Sequence, residues 1–275
     1  MRLTHSVPAL KIETMMTPVR TNEMMMRDGF MIIPFPTDLS ELMQGQARDY
    51  IGQATGVSLT KDAGAEELTR AVLKPSDDVF VQKFKKPLRI LPDPIAGRAL
   101  KWVEGLAEFL GGRRAGIDYV SEAERQENPA LNATTYDVYW RCVRPGKPDV
   151  GQPHADFQFW ELHRGTPLEQ KGAFDYDERW KIWLPLIGCD KTNSLEVLPG
   201  SHTEDVPMLS IETKYGTKPS IKAEWLAANE KRFVCPLTKF SNCAVLFHDK
   251  LIHRGPANQT AHLRVSAELT ILLEL

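Results

Sequence analysis

The sequence predicts a mainly β protein, with an antiparallel strand core and helices packed outside it, on three observations. Apolar residues recur at helical spacing through roughly the first 130 residues. From about residue 134 the texture changes to aromatic and β-branched runs separated by turn-rich stretches. The last run, HLRVSAELTILLEL (His262 to Leu275), alternates polar and apolar positions with a period of two. Helices first and strands later favour a strand core covered by helices over alternating βα units.

Taken in order, DGFMIIPFP (Asp28 to Pro36) reads as a short apolar strand ended by prolines. Thr37 is a candidate N-cap, with Asp38 and Glu41 in the first turn, where carboxylates suit the positive end of the helix dipole. Leu39, Leu42, Met43, Ala47, Tyr50 and Ile51 then follow at helical spacing. A second helical stretch spans roughly 93–110, through Ile95, Leu100, Val103, Leu106, Ala107 and Leu110, and ends at Gly111 and Gly112, where a left-handed cap wants glycine. The later strands are TTYDVYWRCVR (Thr134 to Arg144), KIWLPLIGC (Lys181 to Cys189), SLEVLPGSH (Ser194 to His202), CAVLFHDKLIH (Cys243 to His253) and the final run. An insertion between His202 and Arg232 carries a short helix near Glu224 to Arg232. The charged segment His163 to Arg179 reads as a solvated loop or as a lid. The run Met24-Met25-Met26 reads as space-filling against a neighbour.

In the final run His262, Arg264, Ser266, Glu268 and Thr270 share one face, and Leu263, Val265, Ala267, Leu269 and Ile271 the other. The apolar face must be buried. The polar face either meets solvent, the commoner arrangement, or lines a pocket inside a barrel-like double sheet.

Composition narrows the function classes. The chain has 275 residues, 34 Lys+Arg against 36 Asp+Glu, and a formal charge of -2. That near-balance argues against nucleic acid or an anionic membrane surface as the main partner. A chain of this size buries roughly 75% of its unfolded surface and needs no covalent staple. Cys142, Cys189, Cys235 and Cys243 form no C-x-x-C pair and read as free thiols of a reducing compartment. With no long apolar run, and no apolar h-region in MRLTHSVPALKIETMM, a soluble cytoplasmic protein is expected. The glycine-rich phosphate cradles G-x-G-x-x-G and G-x-x-x-x-G-K are absent.

His154-x-Asp156 places two metal-capable side chains on one face of an extended segment, about 6.6 Å apart at Cα. A second His from another strand would complete a 2-His-1-carboxylate triad, which suits non-haem Fe(II) and leaves coordination positions open. The pair alone is weak, because His202-Glu204 has the same form and roughly one such pair is expected by chance. Spacing separates them. His253 is followed eleven residues later by Arg264 on the polar face, whereas His248 is followed at that distance by Gln259. An Arg inside a polar pocket needs an anion, which the far carboxylate of a dicarboxylate cosubstrate supplies, with Ser266 as a hydroxyl donor.

HADFQFW (His154 to Trp160), KIWLPLIGCDKTNSLEVLPGSH (Lys181 to His202) and HRGPANQTAHLRVS (His253 to Ser266), with the opening DGF, resemble the phytanoyl-CoA dioxygenase branch of the Fe(II)/2-oxoglutarate-dependent oxygenases. The resemblance implies a double-stranded β-helix (jelly-roll, cupin-like) core in a single domain over 1–275, helical over about 1–130 and jelly-roll over about 131–275. It implies His154, Asp156 and His253 as iron ligands, Arg264 as the grip on the distal carboxylate of 2-oxoglutarate, and Ser266 as its helper. The implied cofactors are Fe(II), 2-oxoglutarate and molecular oxygen. The implied reaction is hydroxylation of a small, polar or anionic metabolite, toward which Arg141, Arg144 and Arg164 point, with release of succinate and carbon dioxide. In LPGSH, His202 then reads as structural. Thr192-Asn193-Ser194 stands where the family usually has Glu-Asn-Gly, a departure in a turn that touches no ligand. A further cosubstrate contact falls on Thr135, Tyr139 or Arg141. Phe157, Phe159 and Trp160 either shape a substrate pocket or pack as core, and Trp183 reads as core. Two other readings stand beside the oxygenase, a non-catalytic jelly-roll binding module and a cupin-like metal-dependent isomerase or hydrolase. Neither requires Arg264.

Overall fold

The computed structural model describes residues 25–74, 76–80, 93–147, 149–213 and 216–275. The leader reading of the first residues and Met24 lie outside them. Ten strands are described: β1 (Phe30–Pro34), β2 (Arg114–Ile117), β3 (Val138–Val143), β4 (Glu178–Ile187), β5 (Glu196–Val197), β6 (Met208–Thr213), β7 (Gly216–Ile221), β8 (Cys243–His248), β9 (His253–Arg254) and β10 (Arg264–Glu274). The described α-helices are α1 (Thr37–Thr55), α2 (Ala65–Val72), α3 (Asp77–Phe80), α4 (Asp93–Glu104), α5 (Glu122–Glu127), α6 (Asp156–His163) and α7 (Ala223–Asn229).

The larger sheet is antiparallel and runs β1-β8-β4-β10. Along its outer edge β10 pairs first with β3, from Arg264 opposite Val143 to Leu269 opposite Val138, and then with β2, from Ile271 opposite Ile117 to Glu274 opposite Arg114. The smaller sheet is β5 with β9, widened by the bridges His154 to His253 and Val197 to Val234. Trp183 of the large sheet packs in one buried cluster with Val197 of the small sheet and with Val245 and Phe247 of β8, so the two sheets face each other as a jelly roll.

The alternation of β10 explains the layering. Val265, Ala267, Leu269 and Ile271 pack, with Ile182, Leu184 and Leu246, against Leu39, Met43, Ala47 and Ile51 of α1 and Val103 of α4. Burying each large aliphatic side chain contributes about 1.5–3 kcal/mol, so helices and sheet are joined by one extensive core. The opposite face does not meet solvent: Arg264, Ser266 and Thr270 are buried. Helices occupy the outside of the sheet, and the polar face is enclosed between the two sheets.

Local details differ from expectation for physical reasons. Thr37 is the first helical residue rather than the cap; Pro36 precedes it and caps no N–H with a side chain. The second helical stretch is α4 followed by a 3-10 turn, Glu108–Leu110, closed by Gly111 at φ 77. The insertion holds the predicted short helix but also the β6–β7 hairpin, whose sequence shows no clear alternation. Asp156 does not sit in an extended segment: Ala155 is extended and Asp156 opens α6. All four cysteines are free thiols. No helix among the described residues is long and apolar enough to cross a membrane.

Candidate metal centre

His154 and His253 enter the barrel from adjacent positions of the small sheet, and Asp156 from the first turn of α6. The chain turns sharply between them, because Gln158 Oε1 accepts the Ala155 N–H at 3.2 Å and the Phe157 N–H donates to the Asp249 carbonyl at 3.1 Å. One ligand atom from each of His154, Asp156 and His253 lies within 4.8 Å of the others. Nδ1 of His154 contacts the Gln152 carbonyl at 2.8 Å, and Nδ1 of His253 the Leu251 carbonyl at 3.0 Å. Carbonyls at those distances hold the proton on Nδ1 and leave the Nε2 lone pair for a metal. Burial and the neighbouring His253 push the His154 pKa down to about 4, so its imidazole is neutral near pH 7, as a ligand must be.

The donor set fits a small divalent ion with open positions, two imidazoles and one carboxylate. A second observation agrees. Asp156 Oδ2 is buried and has no hydrogen-bond partner, and its contact with His253 Nε2 is 3.6 Å. Unsatisfied buried carboxylate oxygens are rare, and a metal ion would satisfy this one.

Arg264 is 4% exposed and forms no ion pair among the described residues; burial lowers its pKa. Its Nη1 donates to the Asn193 carbonyl, while its Nε and the Ser266 hydroxyl are buried without partners. A glycine makes room for the guanidinium, and a turn presents its acceptor. A Cβ on Gly255 would stand 2.9 Å from Arg264 Nη2. The Asn193 carbonyl is presented by an Asx turn in which Asp190 Oδ1 accepts from the N–H of Thr192 at 2.7 Å and of Asn193 at 3.2 Å. The departure from Glu-Asn-Gly thus keeps the asparagine that anchors the turn, through Nδ2 to the Gly188 carbonyl at 2.9 Å.

A cavity of about 590 Å³ opens beside His154 and Asp156. Its lining includes Tyr139, Arg141, Phe159, Trp160, Lys181 and Glu268. Of the candidates for a further cosubstrate contact, Tyr139 and Arg141 line it; Thr135 instead accepts the Asn132 N–H in a turn, at 2.9 Å. Phe157 faces Lys250 outside the cavity. Trp183 is core. Arg144 and Arg164 do not line the cavity, being paired with Asp149 and Glu161. The rival His202-Glu204 lies elsewhere: Glu204 pairs with Arg232, and His202 packs near His248. Leu168 and Gln170 of the 163–179 segment reach the cavity wall, where Gln170 Oε1 accepts from Trp160 Nε1 at 2.9 Å. Lys181 is not singled out from sequence, and Glu268 only as a member of the polar face of the final run. The signal was available, since Lys181 is in phase with inward-facing Trp183 and Glu268 with Arg264.

A jelly roll that turns two histidines and one carboxylate inward beside a cavity, with a buried arginine that has no ion pair among the described residues further along the barrel, has the architecture of the non-haem iron, 2-oxoglutarate-dependent oxygenases. The chain belongs to the phytanoyl-CoA dioxygenase (PhyH) family, whose sequence pattern matches residues 26–266. Among solved structures it is similar to EctD from S. alaskensis in its apo form, with 18% identity, 98% of this chain and 80% of that chain covered, and a TM-score of 0.53. A second structure of EctD from S. alaskensis, with 2-oxoglutarate and 5-hydroxyectoine, gives 18% identity, 98% and 79% coverage, and a TM-score of 0.51. At that identity the likeness establishes the fold. A search of the curated proteins found no match.

Proposed function

We propose that this protein is an Fe(II)- and 2-oxoglutarate-dependent dioxygenase that hydroxylates a small polar metabolite, with release of succinate and carbon dioxide. The observation that carries the reading is the pairing of two unsatisfied sites in one barrel: the His154, Asp156, His253 cluster and the buried, ion-pair-free guanidinium of Arg264. In this reading His154, Asp156 and His253 hold the iron, Arg264 grips the distal carboxylate of 2-oxoglutarate, and Ser266 donates its hydroxyl to the same group. Held there, Fe(II) and 2-oxoglutarate would activate dioxygen, the oxidant of the reaction, with the keto acid converted to succinate and carbon dioxide.

The chain's own residues orient and insulate. The Nδ1 contacts fix both imidazoles in the ligating tautomer, and Asp156 contributes the single negative charge that leaves the ion electrophilic. Phe159, packed edge-on to His154 at 5.3 Å between centroids, and Trp160 wall the cavity and exclude water from the reacting carbon. The four free thiols accord with catalysis in a reducing, cytoplasmic setting, by one domain comprising residues 1–275.

The test is succinate formation from 2-oxoglutarate by the iron-loaded protein, with and without candidate metabolites. Stoichiometric succinate and hydroxylated product are expected with the right metabolite, above a slow uncoupled rate without one. Iron-loaded protein that neither binds nor turns over 2-oxoglutarate would leave a binding module in place of an enzyme.

A further inference from the structure

The floor of the cavity holds a buried cation that forms no ion pair among the described residues. Lys181 of β4 is 3% exposed and lines the cavity. Its ammonium donates to the Thr270 hydroxyl of β10 at 3.1 Å and lies 5.6 Å from the Tyr139 ring. Among the described residues no ion pair joins it to a carboxylate. The neighbouring carboxylates are already engaged, Glu268 by Arg141 at 3.4 Å and Asp118 by Arg179 at 3.4 Å. Glu124, also on the lining, is engaged by the Ser121 N–H at 2.9 Å and hydroxyl at 3.0 Å. Asp156 belongs to the ligand cluster. A buried ammonium that bonds one hydroxyl and acts on Glu268 only through space, sharing it with Arg141, is left short of negative charge, and an anion entering the cavity would supply it.

We propose that the primary substrate carries an anionic oxyacid group, a carboxylate or a phosphate, that seats on the Lys181 ammonium beside the Arg141–Glu268 pair. The inference rests on the oxygenase reading for treating this cavity as the substrate's place. The cosubstrate does not fill the same need. Thr270, to which Lys181 is bonded, stands about 20 Å along β10 from Arg264 at roughly 3.3 Å per residue. A five-carbon diacid seated on Arg264 therefore leaves Lys181 unserved. The barrel then has two anion seats, one for the cosubstrate and one for the substrate. Phe159, Trp160, Leu168 and Ile211 supply an apolar wall for the body of the molecule. A cavity of about 590 Å³ suits one small metabolite.

Zn(II)-loaded protein saturated with 2-oxoglutarate keeps Arg264 occupied without turnover. Acetate, benzoate, inorganic phosphate and phenyl phosphate are then titrated by NMR against neutral acetamide, benzamide and phenol. Anions should bind about tenfold more tightly than their neutral counterparts, and the carboxylate and phosphate arms identify the oxyacid. Lys181→Met should abolish the preference and Lys181→Arg retain it. In wild type the lysine Cε resonance of Lys181 should move on anion binding, a direct readout that needs no variant. A wild type without anion preference, an unchanged preference in Lys181→Met, or a comparable loss of 2-oxoglutarate affinity in that variant would overturn the assignment. The same titration on metal-free protein separates the two readings. A Lys181-dependent anion preference in protein that takes up neither metal nor 2-oxoglutarate would keep the seat and remove the oxygenase.

Discussion

His154 and His253 are antiparallel neighbours, each backbone N–H donating to the other's carbonyl, at 3.1 and 2.9 Å, with ring centroids 4.5 Å apart. Each ring is also tied through Nδ1 to the carbonyl two residues before it. The same local device is thus used twice, on segments far apart in sequence. The backbone pairing sets the separation of the imidazoles without a metal, so an ion bound between them would require little reorganisation.

Metal should therefore stabilise the folded chain directly. At a free Mn(II) or Zn(II) concentration about 100 times Kd, mass action adds about 2.7 kcal/mol. For a protein of this size that is roughly 5–10 °C in Tm, at about 2–4 °C per kcal/mol. Asp156→Ala should abolish the increment while leaving the chelator-treated Tm near that of wild type, because its Oδ2 has no partner to lose. Calorimetry with and without chelator measures both. A Tm indifferent to metal in the wild type would sink the ligand assignment.

Much of this was legible in the sequence because period-two alternation and chain order carry it. The strand β10 announced both faces, and the offset to Arg264 favoured His253 over His248 as the second histidine. What escaped depends on tertiary contact. The polar face of β10 is solvent-facing by base expectation, and only the small sheet closing over it makes it interior. The helix that Asp156 opens is set by a Gln158 cap that the aromatic run HADFQFW obscures. The β6–β7 hairpin, with Pro219 in one strand and little alternation, reads as loop until it is seen paired. Arg144 looked like a pocket residue because charge alone does not reveal a buried partner.

The space left by Gly255 gives a test of Arg264 that does not touch its charge. An added Cβ would come within 2.9 Å of Nη2, and the guanidinium is too enclosed to move aside freely. Gly255→Ala should weaken 2-oxoglutarate binding about tenfold, and Arg264→Ala by more, as expected for losing a charge-assisted bidentate contact. Metal affinity should change little in either. Titration calorimetry with the Zn(II)-loaded protein reads the two constants separately, and equal losses of metal and 2-oxoglutarate would count against the role given to Arg264.

Acid should destabilise the metal-free protein in a defined window. His154 is held at about 4 by burial and by His253, and burial also lowers His163 and His202. Unfolding releases these rings to titrate near 6.5, so the unfolded chain binds more protons between those values. Stability is then full above about pH 6.5 and falls as pH drops toward 4. Glu268 extends the loss. Burial favours its neutral form, but Arg141, Lys181 and His253 outweigh that and hold it at about 2, so its contribution disappears from about pH 4.5 downward. Urea unfolding from pH 7.5 to 4.5 should show the decline, and His154→Gln should flatten it between 6.5 and 4.5. An identical slope in that variant would remove His154 as a contributor.

Arg144 gives the sharpest stability test, away from the cavity. Its guanidinium meets Asp149 in a two-pronged pair, Nε to Oδ2 at 2.8 Å and Nη2 to Oδ1 at 3.0 Å, and Oδ2 also accepts the Arg144 backbone N–H at 3.0 Å. The two side chains are 3% and 1% exposed, and the Phe80 ring stacks 3.6 Å from the guanidinium carbon. Asp149→Ala leaves that charge enclosed with the exposed Asp77, at 2.7 Å, as its one remaining carboxylate partner among the described residues. Breaking one side of a buried pair typically costs about 3–5 kcal/mol. The expected fall in Tm is roughly 6–20 °C. Asp77→Ala should change Tm far less, since exposed ion pairs contribute little. Replacing both partners, as Arg144→Met with Asp149→Leu, should recover part of the loss, because the penalty lies in the stranded charge rather than in a missing attraction. Thermal unfolding of the four proteins measures this, and equal destabilisation by Asp77→Ala and Asp149→Ala would show that Asp149 is not the partner on which the buried guanidinium depends.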